Sequence, residues 1–467
     1  MPLSSRLASH LTWAASLIAL SACTVGPAYE RPTTPTAASF KALEGWKAAT
    51  PSDHLDRGDW WTLFGDPQLD ALAGRIVVSN QTVAAAEAAY RQARALVREQ
   101  RSALFPTVDL SGSATKTGDG SGSNSRGESY QVGIGASWEP DLWGRIRQGV
   151  TSAKAGAQAS AADLAGAQLS AQGELAVNYL GLRQSDAEIA LVSATVEGYR
   201  RTFEITQNRY NAGISPKSDV LQAQSQLANT QSSLAGLEQT RANYENAIAV
   251  LVGESPSAFR IAADPNWTAK LPDVPVGVPS ILLERRPDIA AAERRVAAAN
   301  AEIGVARAAF FPTLSLSGSA GSNATRLGDL FAASTNTWSL GLSAAQTLFD
   351  AGARKAQVEQ ARASYDGTVA DYRQTVLTAF QDVENQLTAT RVLERQYALL
   401  QTASTAADQT EQMLLNQYKA GQVAYTDVVA AQASALSARR SLLQAAISRR
   451  TTAVALIQAL GGGWTAS

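Results

Sequence analysis

The sequence predicts a mainly α-helical chain that carries four β-strands of membrane-spanning length and is written twice. Three observations lead there. The stretch NRYNAGISPKSDVLQAQ at 208–224 returns as NQYKAGQVAYTDVVAAQ at 416–432, sharing N-x-Y-x-A-G-x5-D-V-x2-A-Q at a spacing of 208 residues. Residues 146–210 and 353–418 hold no proline, and each stretch would form a helix roughly 100 Å long at about 1.5 Å per residue. Four runs of about ten residues alternate apolar and polar with period two, as tilted membrane strands do.

The duplication is broad. Ala84–Glu87 recurs as Ala290–Glu293, Phe105-Pro106-Thr107 as Phe311-Pro312-Thr313, and Leu142–Arg145 faces Leu348–Ala351, each 206 residues on. Leu251-Val252-Gly253 pairs with Leu460-Gly461-Gly462. The expected organisation is a signal peptide at 1–22, an N-terminal segment at 23–66 and a first repeat at 67–252. A Pro-rich connector at 253–287, a second repeat at 288–462 and a tail at 463–467 complete it.

Within each half the elements follow in order. Asp66-Pro67 is an N-cap followed by proline at N1, so a helix starts there and runs to about Leu104, where Phe105-Pro106 stops it. Arg286-Pro287-Asp288 opens the matching helix, which stops at Phe311-Pro312. Strand 107–115 puts Val108, Leu110, Gly112 and Ala114 on one face. Strand 129–139 does the same with Tyr130, Val132, Ile134, Ala136 and Trp138. Leu314, Leu316 and Ala320, then Trp338, Leu340, Leu342 and Ala344, repeat the pattern. Tyr130, Trp138 and Trp338 lie where an aromatic girdle would. The loops 116–128 and 321–336, rich in Gly, Ser and Asn, suit outward-facing turns.

In the second long helix Val358, Val369 and Phe380 recur every eleven residues, which keeps a helix nearly straight. Beyond Leu393 the stripe Tyr397, Leu400, Ser404, Ala407, Glu411, Leu414, Tyr418 follows a heptad and predicts a left-handed coiled coil. Gly213 and Gly421 suit the left-handed position that ends a helix. Asp219 and Asp427 read as N-caps of the returning helices, worth about 1 kcal/mol each.

The N-terminus has a charged region, the apolar run Leu11–Leu20 and then Leu20-Ser21-Ala22-Cys23, a signal peptide whose end resembles the bacterial lipobox. Cleavage before Cys23 would leave a diacylglycerol thioether and an acylated amine, enough chains for stable anchoring. Thr24 after it favours delivery to the outer membrane. No apolar run long enough for a transmembrane helix follows.

Composition narrows the function. Net charge is −1, so there is no basic footprint for nucleic acid. Charged residues are only 17% of the chain, against roughly 25% in ordinary soluble domains. Cys23 is the single cysteine, and the two histidines, His10 and His54, precede both repeats. No Cys/His metal site, Ser-His pair or nucleotide-binding glycine motif can be assembled, so no enzyme, cofactor or metal is expected. A four-stranded sheet cannot cross a bilayer with open edges, because each unpaired backbone group costs several kcal/mol in hydrocarbon. Two, three or four copies would close about 8, 12 or 16 strands, all even numbers.

These residues resemble the outer-membrane efflux channels of the TolC/OprM type, in their NodT-like lipoprotein branch. The likeness is carried by Cys23-x-Val25-Gly26-Pro27-x-Tyr29-x-x-Pro32, Trp60-Trp61, Phe64-x-Asp66-Pro67-x-Leu69, Arg285-Arg286-Pro287-Asp288 and the two repeated turns. It implies a homotrimer with a twelve-stranded barrel continued by a helical barrel of coiled-coil hairpins, with 253–287 as the equatorial region. It also implies an outer-membrane, lipid-anchored site with a periplasmic stalk. The implied partners are outer-membrane lipid, a periplasmic adaptor of the membrane-fusion type and an inner-membrane pump of the resistance-nodulation-division class. The implied function is passive export of drugs or toxic small molecules, hence antibiotic resistance. Type I protein secretion or metal efflux, and in another class an adaptor or structural coiled-coil lipoprotein, are the alternatives.

By the same resemblance the two turns are periplasmic tips, with Gly213, Ile214, Gly421 and Gln422 docking the adaptor. Asp219, Tyr418, Asp427, Val423 and Tyr425 surround the entrance. Tyr418 is implied to hydrogen-bond Asp219 of a neighbouring hairpin and hold the entrance shut. Val423 stands where the family's best-known gate has an arginine, and Ala430 where it has a second acidic residue, so the closed state is expected to use fewer charged links.

Overall fold

The computed structural model describes residues 25–34, 41, 58–118, 127–272, 274 and 286–462. The signal peptide 1–22, Cys23, Arg285 and the tail 463–467 lie outside the described residues. Among those described, the chain forms seven α-helices and four strands.

Helix α1 (Pro67–Ser79) begins as expected: Asp66 Oδ1 accepts the amides of Gln68 (2.9 Å) and Leu69 (3.1 Å). The single helix expected up to Leu104 is instead two. Asn80 turns extended, and its Oδ1 accepts the amides of Thr82 and Val83, both at 3.0 Å, as a second N-cap. Its Nδ2 donates to the carbonyl of Leu251 (2.8 Å), so the break is tied to the core. Helix α2 (Gln81–Ser102) follows. Its counterpart in the second half is α5 (Pro287–Ala308), of the same 22 residues.

The long elements repeat in equal lengths. Helices α3 (Arg145–Asn211) and α6 (Ala353–Lys419) have 67 residues each, and α4 (Lys217–Leu251) and α7 (Tyr425–Ala459) have 35 each. Their starts are 208 residues apart, whereas the Phe105-Pro106 and Phe311-Pro312 echoes are 206 apart. The structural partner of Gly144 is therefore Gly352, two residues beyond the expected Leu142–Leu348 alignment. In α6, Val358 of the expected row is buried and Val369 and Phe380 are half-buried, while Tyr372 and Val383, and Val376 and Leu387, at the same eleven-residue spacing, are fully buried.

The strands β1 (Thr107–Thr117), β2 (Gly127–Trp138), β3 (Thr313–Ala324) and β4 (Asn336–Ala345) form one antiparallel sheet in the order β1-β2-β3-β4.

The described chain falls into two units. One comprises 25–33, 89–161 and 291–374 and holds the sheet. Along it runs the N-terminal strap: the Val25 amide donates to the Trp143 carbonyl (3.4 Å), Asn300 Nδ2 to the Pro27 carbonyl (3.1 Å) and Arg31 Nε to the Tyr372 hydroxyl (3.2 Å). The Tyr29 hydroxyl donates to Glu293. A Cβ on Gly26 would lie 3.1 Å from Gly304 Cα and 2.6 Å from Gln148 Nε2, so the motif glycine marks a close backbone approach.

The second unit takes 58–88, 162–290 and 375–462 among the described residues, and holds the main core. A short 3-10 turn, Trp60–Phe64, buries Trp60, Trp61 and Phe64 there. Beside it lies a buried polar cluster. Asp66 Oδ2 accepts the hydroxyl of Tyr179 (2.7 Å) and Nε1 of Trp267 (2.6 Å). Arg183 pairs with Asp186 (2.9 Å) and donates to Tyr179, Gln68 and the Ala262 carbonyl. Arg241 reaches Asp186 (2.6 Å) and the Ile261 carbonyl (2.7 Å), while Glu245 accepts the Ile261 amide (2.7 Å). The connector's first part, irregular as expected, is thus clasped onto α3 and α4. Arg286 does similar work, pairing with Asp288 (2.8 Å) and donating to the Ala459 carbonyl (3.1 Å) at the end of α7.

Burial pushes the Asp66 carboxyl up, but donation from Trp267, Tyr179 and the Leu69 and Gln68 amides outweighs it and holds the group below its ordinary value. A depressed native pKa contributes stability that is complete above the unfolded value, about 3.9, and is lost as pH falls through the native value. Asp66→Asn keeps the cap and removes the accepting carboxylate, so it should cost about 3 kcal/mol in denaturant unfolding followed by circular dichroism. The loss should shrink as the wild type is titrated below about pH 4; a mutant deficit that stays constant through that window would remove this account.

Candidate functional site

In the sheet unit, register sorts every side chain to one of two faces. Val108 lies opposite Ala136, Leu110 opposite Ile134, Ile134 opposite Ala320, Trp138 opposite Leu316, and Leu316 opposite Leu342. Directly opposed residues share a face, so these positions form one apolar surface across all four strands. It is bare in the single chain: Leu110, Leu340 and Leu342 are each more than two-thirds exposed. The other face carries Ser, Thr, Gly, Asn and Gln, with Asp109 its sole charged residue among the described positions.

The three expected girdle residues all fall on the apolar face, toward its two ends. Tyr130, opposite Ala114, and Trp338, opposite Ala320 and 82% exposed, lie toward the loop end; Trp138, 37% exposed, lies at the helix end. Lys116 and Glu128, opposed across β1 and β2, form a 2.6 Å ion pair that bounds this face at the loop end. Sequence reasoning missed further apolar groups at the helix end. Leu348 and Phe349 follow β4 and are 90% and 86% exposed, and Phe310 lies under the Arg354 guanidinium at 5.4 Å. The signal is present as apolar pairs flanking the strands, where Phe311-Pro312 also stops a helix. The outer edges of β1 and β4 pair with no strand among the described residues.

The second unit holds both hairpin tips. Each tip has the same closure. Gly213 and Gly421 are left-handed (φ 72° and 76°). The Ile214 amide donates to the Arg209 carbonyl (2.8 Å) and the Gly213 amide to that of Tyr210 (2.9 Å). In the second copy Gln422 donates to Gln417 (2.9 Å) and Gly421 to Tyr418 (2.9 Å). Two amides folding back over a left-handed residue is the Schellman motif. Gly213, Ile214, Gly421 and Gln422 are all exposed.

Asp219 and Asp427 are not the expected N-caps. The caps are Pro216 and Ala424, which make no side-chain cap bond, and the two aspartates stand in the first helical turn. The physical reason is that Pro216 and Ala424 already adopt the extended cap geometry, so the helix starts three residues earlier. The carboxylates then complement the positive helix N-terminus rather than cap it. Asp219 is half-buried and Asp427 exposed.

Tyr418, Tyr425 and Val428 are buried together with Ala223, and half-buried Val423, Phe203 and Leu415 pack on them. The Tyr418 and Tyr425 rings lie 5.3 Å apart. Burial, then the proximity of Tyr418, Tyr199 and Asp219, pushes the Tyr425 hydroxyl pKa up, so it stays protonated. The Tyr418 hydroxyl is buried and has no hydrogen-bond partner among the described residues. Arg209, which sequence reasoning did not single out, lies over the Tyr418 ring at 4.8 Å.

Comparison with known proteins places this geometry. Residues 72–254 and 278–462 match the protein-family model described as "Outer membrane efflux protein". The chain is similar to pyoverdine export outer membrane protein OpmQ of Pseudomonas aeruginosa, 31% identical over 97% of this chain and 97% of that one. It is similar to toluene efflux pump outer membrane protein TtgC of Pseudomonas putida, 30% identical over 98% of this chain and 96% of that one. The solved structure of the outer-membrane channel OprN superimposes with a TM-score of 0.85 at 32% identity, covering 95% of this chain and all of that one. With a sheet apolar on one face, and long helical hairpins in duplicate, this chain belongs to the outer membrane efflux protein family, whose members are channels and not enzymes.

Proposed function

We propose that three copies of the chain close their sheets into one twelve-stranded barrel in the outer membrane, four strands from each. The helices would continue it as a periplasmic tube. The observation that carries this is the sheet itself, apolar on one face, polar on the other and unpaired at both edges. Lipid requires every backbone group to be paired, so neighbouring copies must supply the edges. The polar face then lines a water-filled lumen and the apolar face meets acyl chains.

The tube acts as the passive exit duct of a tripartite system, fed by a periplasmic adaptor docked at Gly213, Ile214, Gly421 and Gln422. An inner-membrane pump of the resistance-nodulation-division class supplies the energy. The cargo is a class of small molecules, drugs or toxic compounds; the relatives named for pyoverdine and toluene support that reading. Acylated Cys23 adds a second attachment. The strap supports this, because Val25, two residues on, is held against Trp143 at the junction of β2 and α3. Tyr418 and Asp219 of a neighbouring hairpin form the entrance latch, and Asp427 adds carboxylates selecting cations there.

Light scattering of the detergent-extracted protein should give the mass of three chains; a monomer would overturn the barrel. In planar bilayers, Tyr418→Phe and Asp219→Ala should each raise single-channel conductance above wild type, and conductance unchanged in both would remove the latch. Cys23→Ser should abolish incorporation of labelled palmitate while leaving the trimer able to form channels. Labelling that survives the substitution would rule out the anchor.

A further inference from the structure

We propose that Arg209 is an intrachain clamp that holds the end of α6 against the first hairpin and restrains opening of the entrance. The inference rests on the channel reading above. Arg209 makes three contacts, two across to the second tip and one within the first. Its guanidinium stacks on the Tyr418 ring, with the central carbon 4.8 Å from the centroid. Nη1 donates to the Tyr418 carbonyl at 3.4 Å, and Nε donates to Ser215 Oγ at 3.2 Å. The Arg209 carbonyl also accepts the Ile214 amide that closes the first tip, and the Tyr418 carbonyl accepts the Gly421 amide that closes the second. One side chain therefore spans from the residue that shapes one turn to the residue that shapes the other.

The electrostatics favour this placement. Tyr418 is in the last turn of α6, where exposed carbonyls carry partial negative charge and a cation is stabilised. Arg209 forms no ion pair with a carboxylate among the described residues, so its charge serves the ring and the carbonyl. The planar guanidinium suits both at once, as an ammonium does not. The equivalent residue in the second half, 208 positions on, is Gln417, which has no charge to offer. The contact uses the face and carbonyl of Tyr418 and leaves its hydroxyl untouched, so clamp and latch are separable.

The test is single-channel recording of the full-length protein in planar bilayers. Arg209→Gln should raise open-state occupancy about fivefold, equivalent to about 1 kcal/mol, as expected for loss of a partly desolvated cation–π contact. Arg209→Lys should fall between the two. In a Tyr418→Phe background, which keeps the ring, Arg209→Gln should add its full effect; in Tyr418→Leu, which keeps only the carbonyl contact, it should add clearly less. Occupancy at the wild-type level in a trimeric Arg209→Gln channel would overturn the clamp, as would an equal effect in the Tyr418→Leu background. Should Arg209→Gln not assemble, the lysine variant decides, and wild-type occupancy there overturns the proposal. A wild type that forms no channel would instead overturn the channel reading on which the clamp rests.

Discussion

Unsatisfied backbone at the edges of a four-stranded sheet is the constraint from which the remaining architecture follows. Hydrocarbon offers no water to a strand's outward N–H and C=O groups, and each one left unpaired costs several kcal/mol. β1 and β4 present such edges, and the face between them is apolar along its length. Each half of the chain makes one local hairpin, β1–β2 or β3–β4. The two are joined by β2–β3 pairing, in which Tyr130 meets Ala324 across nearly two hundred residues. Non-local pairing forms late, because loop-closure entropy precedes its reward. The helices that flank the two hairpins are the scaffold that brings them together. The strap at 25–33 adds to that scaffold, since Tyr29, Pro27 and Arg31 contact Glu293, Asn300 and Tyr372 on helices of the second half.

In the other unit the equivalent task falls to buried charge. Asp186 accepts from Arg183 and Arg241, Glu245 from Arg241 and the Ile261 amide, and Asp66 from Tyr179 and Trp267. Such clusters give little net stability over apolar packing, but removal of one member strands the others at about 3–5 kcal/mol. Their effect is geometric: they fix where the irregular connector meets α3 and α4. The motif Phe64-x-Asp66-Pro67-x-Leu69 becomes intelligible in these terms. Phe64 and Leu69 are buried, Pro67 starts α1, and one carboxylate caps that helix while accepting two side-chain donors. This signature belongs to the fold.

Much of this was legible in the sequence, for reasons that differ by element. Strand faces follow from period two, so Tyr130, Trp138 and Trp338 fall on the predicted side. Gly213 and Gly421 end their helices because a residue without Cβ adopts positive φ freely. What was not legible depended on competition between neighbours or on contacts distant in sequence. Asn80 splits a helix whose apolar pattern runs through it, because its side chain finds the Leu251 carbonyl. Asp219 and Asp427 look like caps, yet Pro216 and Ala424 take the cap conformation first. Arg209 lies in a polar run with no periodic signal, and only the approach of α6 gives it a role. The exposed Leu348 and Phe349 lay hidden within a motif aligned two residues out of step.

Duplicate backbones with unlike side chains give one chain two hairpins of the same build and different contacts. The two hairpins have helices of equal length and the same turn closure, so either can occupy an equivalent place in a tube. A few unlike side chains stand where they meet. Lys217 in the first copy corresponds to Tyr425 in the second, whose ring packs on Tyr418, and Arg209 corresponds to Gln417. Apolar and cation–π contacts of this kind are individually worth about 1 kcal/mol, small enough to break and re-form on binding a partner. The ionic clasp of the same unit is far costlier to disrupt. Strong links thus hold the connector to the helices and weak ones join the tips, so an adaptor's binding energy would be spent at the tips before it reached the clasp.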